Sequence, residues 1–291
     1  MSETLALRAP AKLNLFLHVT GRRADGYHLL QTVFQLLDFC DEMRFTATAA
    51  PALVLEGSVP GVAAQDNLVM KAARALAARC APRQGAIIAL DKRIPHGGGL
   101  GGGSSDAATT LLALNRLWGC GLARAELAAI GLALGADVPV FVHGRSAWAE
   151  GIGEQLQPLD LPERWYLVIR PGCAVNTAAI FSDRELTRDT PITTMAAFLT
   201  DGHRNDCEGV VRKRYPEVDR ALTWLAAHGE ARMSGTGSCV FAPFATEQAA
   251  REAAARVPAE WDRFVARGIN RSPVHEALYD TTESIGASPS G

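Results

Sequence analysis

A run of glycine in the middle of the chain restricts the local fold more than any other feature. Residues 95–105 read Pro-His-Gly-Gly-Gly-Leu-Gly-Gly-Gly-Ser-Ser, and a helical pattern from Asp106 to Leu114 follows directly. Glycine allows positive φ and lets an anion reach backbone N–H groups with no Cβ in the way. The first N–H groups of a helix lack acceptors within it, and the helix dipole adds roughly half a positive charge there. This pattern predicts a phosphate-binding loop and disfavours a flexible linker.

The spacing of the glycines distinguishes this loop from two common types of phosphate-binding loop. A Walker A motif needs Gly-x-x-x-x-Gly-Lys-Ser/Thr, and no lysine follows any of these glycines. Gly97, Gly99 and Gly102 satisfy Gly-x-Gly-x-x-Gly. A dinucleotide site also needs an acidic residue about twenty positions later, and residues 118–122 read Trp-Gly-Cys-Gly-Leu instead. The remaining interpretation is a nucleoside triphosphate loop of a third type.

Length, net charge and the distribution of apolar residues exclude some classes of protein but do not identify one function. A length of 291 residues exceeds a typical single domain, so we expect two domains. The net charge of −2 gives no basic field for nucleic acid. No apolar run approaches the roughly 18 residues that span a bilayer, and the first residues do not resemble a secretion signal. We expect a cytoplasmic protein with a small-molecule substrate and no nucleic-acid or membrane partner, as a monomer or weak homodimer.

The cysteines are scattered singly along the chain. They lie at positions 40, 80, 120, 173, 207 and 239, and no two form a Cys-x-x-Cys pair. Zinc sites and disulfide frameworks need clustered spacing. The sequence therefore predicts free thiols and no metal site built from protein side chains.

Apolar patterning predicts alternating strands and helices. In the first half we expect a strand over residues 5–19 interrupted at Pro10, two short strands within 32–45, a helix over 67–77 with Asp66 as a possible cap, a buried strand at 86–90, and a helix over 124–134 capped by Gly135. In the second half we expect strands at 165–169, 239–241 and 263–266 and helices over 218–228 and 246–256.

A change of composition after Glu154 predicts a domain boundary. We expect one domain over residues 1–155, which carries the nucleoside triphosphate loop and is completed by about 268–280, and a second domain over 156–267. The small polar tail at 281–291 is expected to be disordered.

Three short segments, in this order, resemble the superfamily of galactokinase, homoserine kinase, mevalonate kinase and phosphomevalonate kinase, the GHMP kinases. They are Pro10–Asn14, Pro95–Ser105 and Gly235–Ser238. Within that superfamily, Gly26-Tyr27-His28 and Leu134–Pro139 are similar to the family that phosphorylates 4-diphosphocytidyl-2-C-methyl-D-erythritol in non-mevalonate isoprenoid synthesis. The resemblance extends from about residue 7 to residue 278. It implies an α+β fold of two domains, one like ribosomal protein S5 domain 2 and one ferredoxin-like, with the active site between them.

The resemblance also implies the reaction, which is transfer of a phosphoryl group from ATP, with Mg²⁺, to an alcohol. Positioning and cations stabilise such a transition state, and a base accepts the hydroxyl proton. The implied catalytic pair is Asp137 as the base and Lys12 as its cation. Asn14, two residues beyond Lys12 in a strand, is expected on the same face and is implied to contact the substrate. Taken alone, Asp137 could be an ordinary turn residue and Lys12 an exposed strand residue.

Two further residue sets are carried over from the family. The implied nucleotide contacts are Pro95, Gly97, Gly98, Gly99, Leu100, Gly101, Gly102, Gly103, Ser104, Ser105, Asn67 and Lys92. One of the two serines is implied to contact Mg²⁺, and either could instead be a helix N-cap. Asp106 is expected to interact with the helix dipole.

The implied substrate contacts beyond Asn14 are Tyr27, His28, Thr177, Phe181, Gly235, Thr236 and Gly237. Tyr27 and Phe181 are implied to sandwich a cytosine ring while His28 reads its edge. The alternative for these three is two core aromatics and a hydrogen-bonded turn residue.

Other functions remain open at this point. A related kinase acting on homoserine or a mevalonate would need the glycine loop and the base but no pyrimidine site. A regulator that binds nucleotide without catalysis would not need Lys12 and Asp137. An RNA-binding role, suggested only by the S5-like fold, is disfavoured by the charge balance.

Overall fold

The computed structural model describes residues 3–59, 61–200 and 204–280, so the predicted disordered tail lies outside the described residues. The strands are β1 Thr4–Arg22, β2 His28–Thr48, β3 Leu53–Glu56, β4 Gly85–Asp91, β5 Ala147–Glu150, β6 Gln155–Pro158, β7 Trp165–Arg170, β8 Arg232–Met233, β9 Val240–Phe244 and β10 Asp262–Ile269. The α-helices are α1 Leu68–Cys80, α2 Gly102–Leu117, α3 Arg124–Leu132, α4 Val138–His143, α5 Thr177–Phe181, α6 Met195–Thr200, α7 Glu208–Arg214, α8 Pro216–Ala226, α9 Glu247–Ala254 and α10 Pro273–Tyr279.

The strands join into one continuous sheet in which β2 is the central element. The sheet runs β3-β4-β2-β10-β7-β9-β8, with β1 paired along β2 and the β5–β6 hairpin attached to β2. The β3–β4 pair is parallel. Gly268 and Ile269 of β10 pair with β2, so the last strand returns to the first half of the chain. The α+β class expected from the sequence is confirmed.

Three apolar clusters form the core of the molecule. The first packs α1, α2, α4 and α10 on the N-terminal part of the sheet, and its members include Leu76, Leu111 and Val274. The second packs α7, α8 and α9 on the C-terminal strands. The third lies between them and includes Leu13 of β1 and Leu100 of the glycine run. Burial of Leu100 ties the loop backbone to the core, which limits how far the loop can move.

Two strand predictions are wrong in a way that the structure explains. The first strand continues through Pro10, which pairs with Cys40, and a register shift before Lys12 accommodates the proline. The second segment is one long strand and not two short ones. Its Asp41 is fully buried, and its carboxylate accepts hydrogen bonds from the backbone N–H groups of Arg93, at 2.6 Å, and of Ile94, at 2.8 Å. The Lys92 ammonium also pairs with this carboxylate, so the buried charge is satisfied and the strand needs no turn there.

Helix ends also differ from the sequence prediction. The N-cap of α1 is Asn67 and not Asp66, because the Asn67 side chain accepts a bond from the backbone N–H of Val69. Helix α3 ends earlier than predicted, with Ala133 at its C-cap. Gly135 instead begins the turn that leads into α4. Cap identity depends on side-chain orientation, which the apolar pattern alone does not determine.

The prediction of free thiols is wrong for one pair. Cys80 at the end of α1 and Cys120 after α2 form a disulfide, with Cα atoms 5.6 Å apart and 40 positions of sequence separation. Packing of α1 against α2 brings the two residues together, and sequence spacing carries no sign of that contact. The remaining four cysteines are free thiols. No helix in the described ranges has the length and apolarity to cross a membrane.

Candidate active site

A cleft of about 730 Å³ lies where β1, the glycine loop, the turn before α4, helix α5 and the loop before β9 meet. Many of the residues singled out from the sequence line it. They are Lys12, Asn14, Tyr27, His28, Gly97, Gly99, Ser104, Asp137, Thr177, Phe181, Gly235, Thr236 and Gly237. The cleft therefore brings together residues that are separated by more than 200 positions in the chain.

The glycine loop takes its shape from contacts on both sides. Gly97, Gly99 and Gly101 have φ values of 73°, 75° and 70°. A Cβ on Gly99 would lie 2.2 Å from the backbone oxygen of Ser234, so only glycine fits there. The loop carbonyls are held by the protein, since Leu100 accepts from the Lys12 N–H at 2.9 Å and Gly98 accepts from the Cys239 N–H at 3.1 Å.

The start of α2 has N–H groups without acceptors inside the helix. The helix begins at Gly102 with Gly101 as its N-cap, so the N–H groups of Gly102, Gly103 and Ser104 have no acceptor within the helix. The N-cap alternative for the serines is wrong, because both lie inside the first turns. Ser104 lines the cleft, whereas Ser105 is fully buried and its hydroxyl has no partner among the described residues. These free amides and the Ser104 hydroxyl fit a triphosphate and its Mg²⁺.

Lys12, Asn14 and Asp137 form one connected polar centre. The Lys12 Nζ atom lies 3.1 Å from Oδ2 of Asp137, and it donates to Oδ1 of Asn14 at 2.5 Å and to the Gly99 carbonyl at 3.1 Å. The Asn14 amide donates to the Thr32 hydroxyl at 3.0 Å. Lys12 is buried, while the Asp137 side chain is 35% exposed toward the cleft. The lysine is thus fixed in place, and the carboxylate remains open to a ligand.

The far end of the cleft carries the aromatic residues. The rings of His28 and Phe181 are stacked, with centroids 5.1 Å apart and an interplanar angle of 23°. Tyr27 is 59% exposed at the mouth. Burial, and then the positive charges of Arg188 and Arg22, lower the pKa of His28. This shift favours the neutral form of the His28 ring.

The loop before β9 joins the glycine loop to the second half of the chain. The Ser234 hydroxyl donates to the Gly99 carbonyl at 2.9 Å and accepts from the Asn14 N–H at 3.1 Å. The hydroxyls of Thr177 and Thr236 lie 2.8 Å apart. The amide of Asn205 donates to the Gly235 carbonyl at 2.7 Å.

Comparison with known proteins places this geometry in a family. The sequence model described as "GHMP kinases N terminal domain" matches residues 67–145, and the one described as "GHMP kinases C terminal" matches residues 184–263. A 4-diphosphocytidyl-2-C-methyl-D-erythritol kinase from Halorhodospira halophila is 53% identical over 98% of this chain and 100% of its own length. One from Cupriavidus necator is 57% identical over 91% of this chain and 93% of its own.

The chain belongs to the 4-diphosphocytidyl-2-C-methyl-D-erythritol kinase family of GHMP kinases. It is a small-molecule kinase. A solved structure titled 4-(cytidine 5'-diphospho)-2C-methyl-D-erythritol kinase is 35% identical and superposes with a TM-score of 0.80, covering 91% of this chain and all of that one. A mevalonate kinase structure at 17% identity has a TM-score of 0.65 and shows the shared two-domain fold.

Two implied nucleotide contacts occupy other positions in this kinase. Asn67 caps α1, and the Lys92 Nζ atom is bound between the carboxylates of Asp41 and Asp106. Neither residue is among those that line the cleft, and of the implied contacts in the glycine loop Gly97, Gly99 and Ser104 line it. Burial raises the pKa of Asp106 to about 7, with Lys92 opposing that rise and Asp41 adding to it. The Lys92 ammonium thus lies between two buried carboxyl groups next to the first turn of α2.

Sequence reasoning missed Ser234, Asp41 and Arg188, and it found no role for Asn205. Ser234 directly precedes the Gly-Thr-Gly-Ser motif, and its position there was the only available signal. Asp41 lies within residues 32–45, where we predicted two short strands and no functional residue. Nothing local marks Arg188 or Asn205, because each acts on residues far away in the chain.

Proposed function

We propose that this kinase transfers the γ-phosphoryl group of ATP to the 2-hydroxyl of 4-diphosphocytidyl-2-C-methyl-D-erythritol. One observation carries the proposal. A buried lysine and an accessible carboxylate, Lys12 and Asp137, are 3.1 Å apart in a cleft that has a phosphate-type loop on one side and an imidazole stacked on an aromatic ring on the other. The names of the relatives, at more than half identity, supply the substrate.

Asp137 is the proposed general base. Its carboxylate accepts the proton of the substrate hydroxyl while that oxygen bonds to the γ-phosphorus and the bond from this phosphorus to the β–γ bridging oxygen breaks. The Lys12 ammonium, 3.1 Å from the Asp137 carboxylate, stabilises the negative charge that develops on the transferred group. Asn14 holds the Lys12 ammonium through the 2.5 Å hydrogen bond, so the cation is in place before substrate binds.

The loop from Gly97 to Ser104 is the proposed triphosphate site, and the N–H groups of Gly102, Gly103 and Ser104 bind its oxygens. Mg²⁺, when bound, neutralises charge on the phosphate oxygens. Ser104 is the loop serine proposed to hold it, because its side chain faces the cleft and that of Ser105 is buried.

His28, Phe181 and Tyr27 form the proposed cytosine site, with Thr177 and residues 235–237 contacting the rest of the substrate. Aromatic faces suit base stacking, and a neutral imidazole suits an edge that carries both donors and acceptors. A related kinase of homoserine or a mevalonate would need no such site.

The test is Asp137→Asn, assayed by ATP consumption with the cytidine substrate. We expect kcat to fall by about 10³-fold while the KM for ATP changes by less than a few-fold, because the amide cannot accept the proton. Asp160→Asn is the matched control, since it removes an exposed carboxylate that is paired only with Arg145 among the described residues. A wild-type kcat in Asp137→Asn would remove Asp137 as the base. Faster phosphorylation of homoserine or mevalonate than of the cytidine substrate would overturn the substrate assignment.

A further inference from the structure

One arginine connects the two rings at the base end of the cleft. The Nε–H of Arg188 donates to Nε2 of His28 at 3.1 Å. One terminal nitrogen of Arg188 donates to the carbonyls of Phe181, at 2.8 Å, and Asp183, at 2.6 Å, and the other donates to the carbonyl of Leu186 at 3.0 Å. Three carbonyls thus orient the planar guanidinium, and its fixed fork aims Nε at the imidazole.

This contact determines where the proton of His28 lies. An arginine side chain is always protonated and has only donors, so the ring nitrogen facing it must offer a lone pair. In a neutral imidazole the other nitrogen then carries the hydrogen. For His28 the acceptor is Nε2, and the N–H donor is therefore Nδ1. Nδ1 has no hydrogen-bond partner in residues 3–59, 61–200 and 204–280, and the His28 side chain lines the cleft.

A fixed N–H donor distinguishes the two pyrimidines. The Watson–Crick edge of cytosine has acceptors at N3 and O2, whereas uracil has a donor at N3. An N–H that meets N3 of cytosine forms a hydrogen bond, and the same N–H facing N3–H of uracil leaves two donors opposed. Two buried, unsatisfied donors cost about 1–3 kcal/mol each, and repulsion of this kind gives selectivity that attraction alone does not give.

We propose that Arg188 is a positioning residue for base selectivity, which holds His28 as the Nδ1–H tautomer and so favours cytosine over uracil. The inference rests on the proposed function in taking a cytosine base as the ligand of His28. Arg188 is not among the residues that line the cleft, so it is assigned a role through His28 and not a direct contact. Its carbonyl bond to Phe181 also keeps the stacked ring next to the imidazole that it orients.

The first experiment needs no variant. In a nitrogen-15 long-range correlation spectrum of the intact protein at neutral pH, His28 should show a protonated Nδ1 and an unprotonated Nε2. The resonance is assigned by its disappearance in His28→Asn. A protonated Nε2 would overturn the proposal whatever substrate the kinase uses, so this result is independent of the proposed function.

The second experiment compares kcat/KM for the cytidine substrate and its uridine analogue in wild type and in Arg188→Met. Methionine keeps the length of the side chain but has no donor, so we expect the ratio to fall about ten-fold or more, mainly through the KM for the cytidine substrate. Arg214→Gln is the control, because Arg214 pairs with Asp183 in the same segment and makes no bond to His28 in the described residues. An unchanged ratio in Arg188→Met, or an equal loss in Arg214→Gln, would refute the role of Arg188.

If wild type turned over neither nucleotide, the proposed function would fail. Competition by cytidine and uridine monophosphates for binding would then measure the same ratio in the same three proteins. Equal binding of the two by wild type would refute the selectivity, and a preference for cytidine that Arg188→Met loses would support it.

Discussion

Gly99→Ala probes whether the close approach of the two loops is needed for nucleotide use. Gly99 has a φ of 75°, and a Cβ there would lie 2.2 Å from the Ser234 backbone oxygen. Gly172 has a φ of 74° in an exposed turn, and a Cβ there would meet nothing within 4 Å. The two alanine variants therefore share the backbone penalty of positive φ, and only Gly99→Ala adds a collision with the neighbouring backbone.

The expected costs follow from these two terms. Positive φ costs alanine about 1–2 kcal/mol at either position. Overlap with a backbone atom adds about 1–3 kcal/mol at Gly99 alone, because a carbonyl cannot move aside as a side-chain tip can. If the loop shifts to relieve the overlap, it loses the bond from the Ser234 hydroxyl and the one from Lys12 to the Gly99 carbonyl. We expect kcat/KM for ATP to fall about 5- to 150-fold further in Gly99→Ala than in Gly172→Ala.

The assay is a coupled ATP-consumption measurement at varied ATP, with urea unfolding of both variants to follow stability. Gly172→Ala should lose stability and keep its kcat/KM for ATP. If Gly99→Ala matched Gly172→Ala in both measurements, the contact between the two loops would have no role in nucleotide use, and our account of the glycine at position 99 would be refuted.

Two further predictions concern stability and loop anchoring. Asn205→Ala removes the side-chain amide that donates to the carbonyls of Met233 and Gly235. The free energy of unfolding measured in urea should fall by about 1–3 kcal/mol, and the KM for the cytidine substrate should rise. An unchanged KM would contradict the anchoring role. Burial, and then the charge of Arg124, lower the pKa of His275 to about 4. Between pH 6.5 and pH 4 the folded state therefore binds fewer protons than the unfolded state. Stability that is present above pH 6.5 is lost as the pH falls toward 4. His275→Gln should remove about 3 kcal/mol of that pH dependence in urea unfolding followed from pH 7 to pH 4, and an unchanged pH dependence would contradict it.

Local signals were enough to predict the phosphate loop and most of the elements around it. The glycine run before an apolar helix predicted the loop because positive φ and a missing Cβ are properties of the residue itself. The strand at 86–90 and the strand at 165–169 were found at nearly their observed bounds, as β4 and β7, because buried strands are continuous apolar runs. The resemblance to GHMP kinases then gave the fold and the family, both of which are confirmed.

What the sequence could not predict depends on contacts between distant segments. The Asp41 carboxylate is satisfied by the Lys92 ammonium and by the backbone N–H groups of residues 93 and 94, which come within reach only after β2 pairs with β4. Ser234 and Asn205 act through backbone carbonyls, and an acceptor of that kind leaves no trace in residue type. The disulfide between Cys80 and Cys120 likewise follows from helix packing.

The contacts of the loop explain why the glycine run alone is not a phosphate site. The sign of φ alternates along the loop, with positive values at Gly97, Gly99 and Gly101 and negative values at the residues between them. Such an alternation turns successive N–H groups to one side of a chain. The same alternation turns carbonyls to the other side, where they need donors. β1 supplies the Lys12 N–H and ammonium, and the loop before β9 supplies the Ser234 hydroxyl and the Cys239 N–H. Both halves of the chain are therefore required to hold the loop in this conformation. The Lys12 ammonium, which donates to the Gly99 carbonyl of the loop, is also the group that pairs with Asp137.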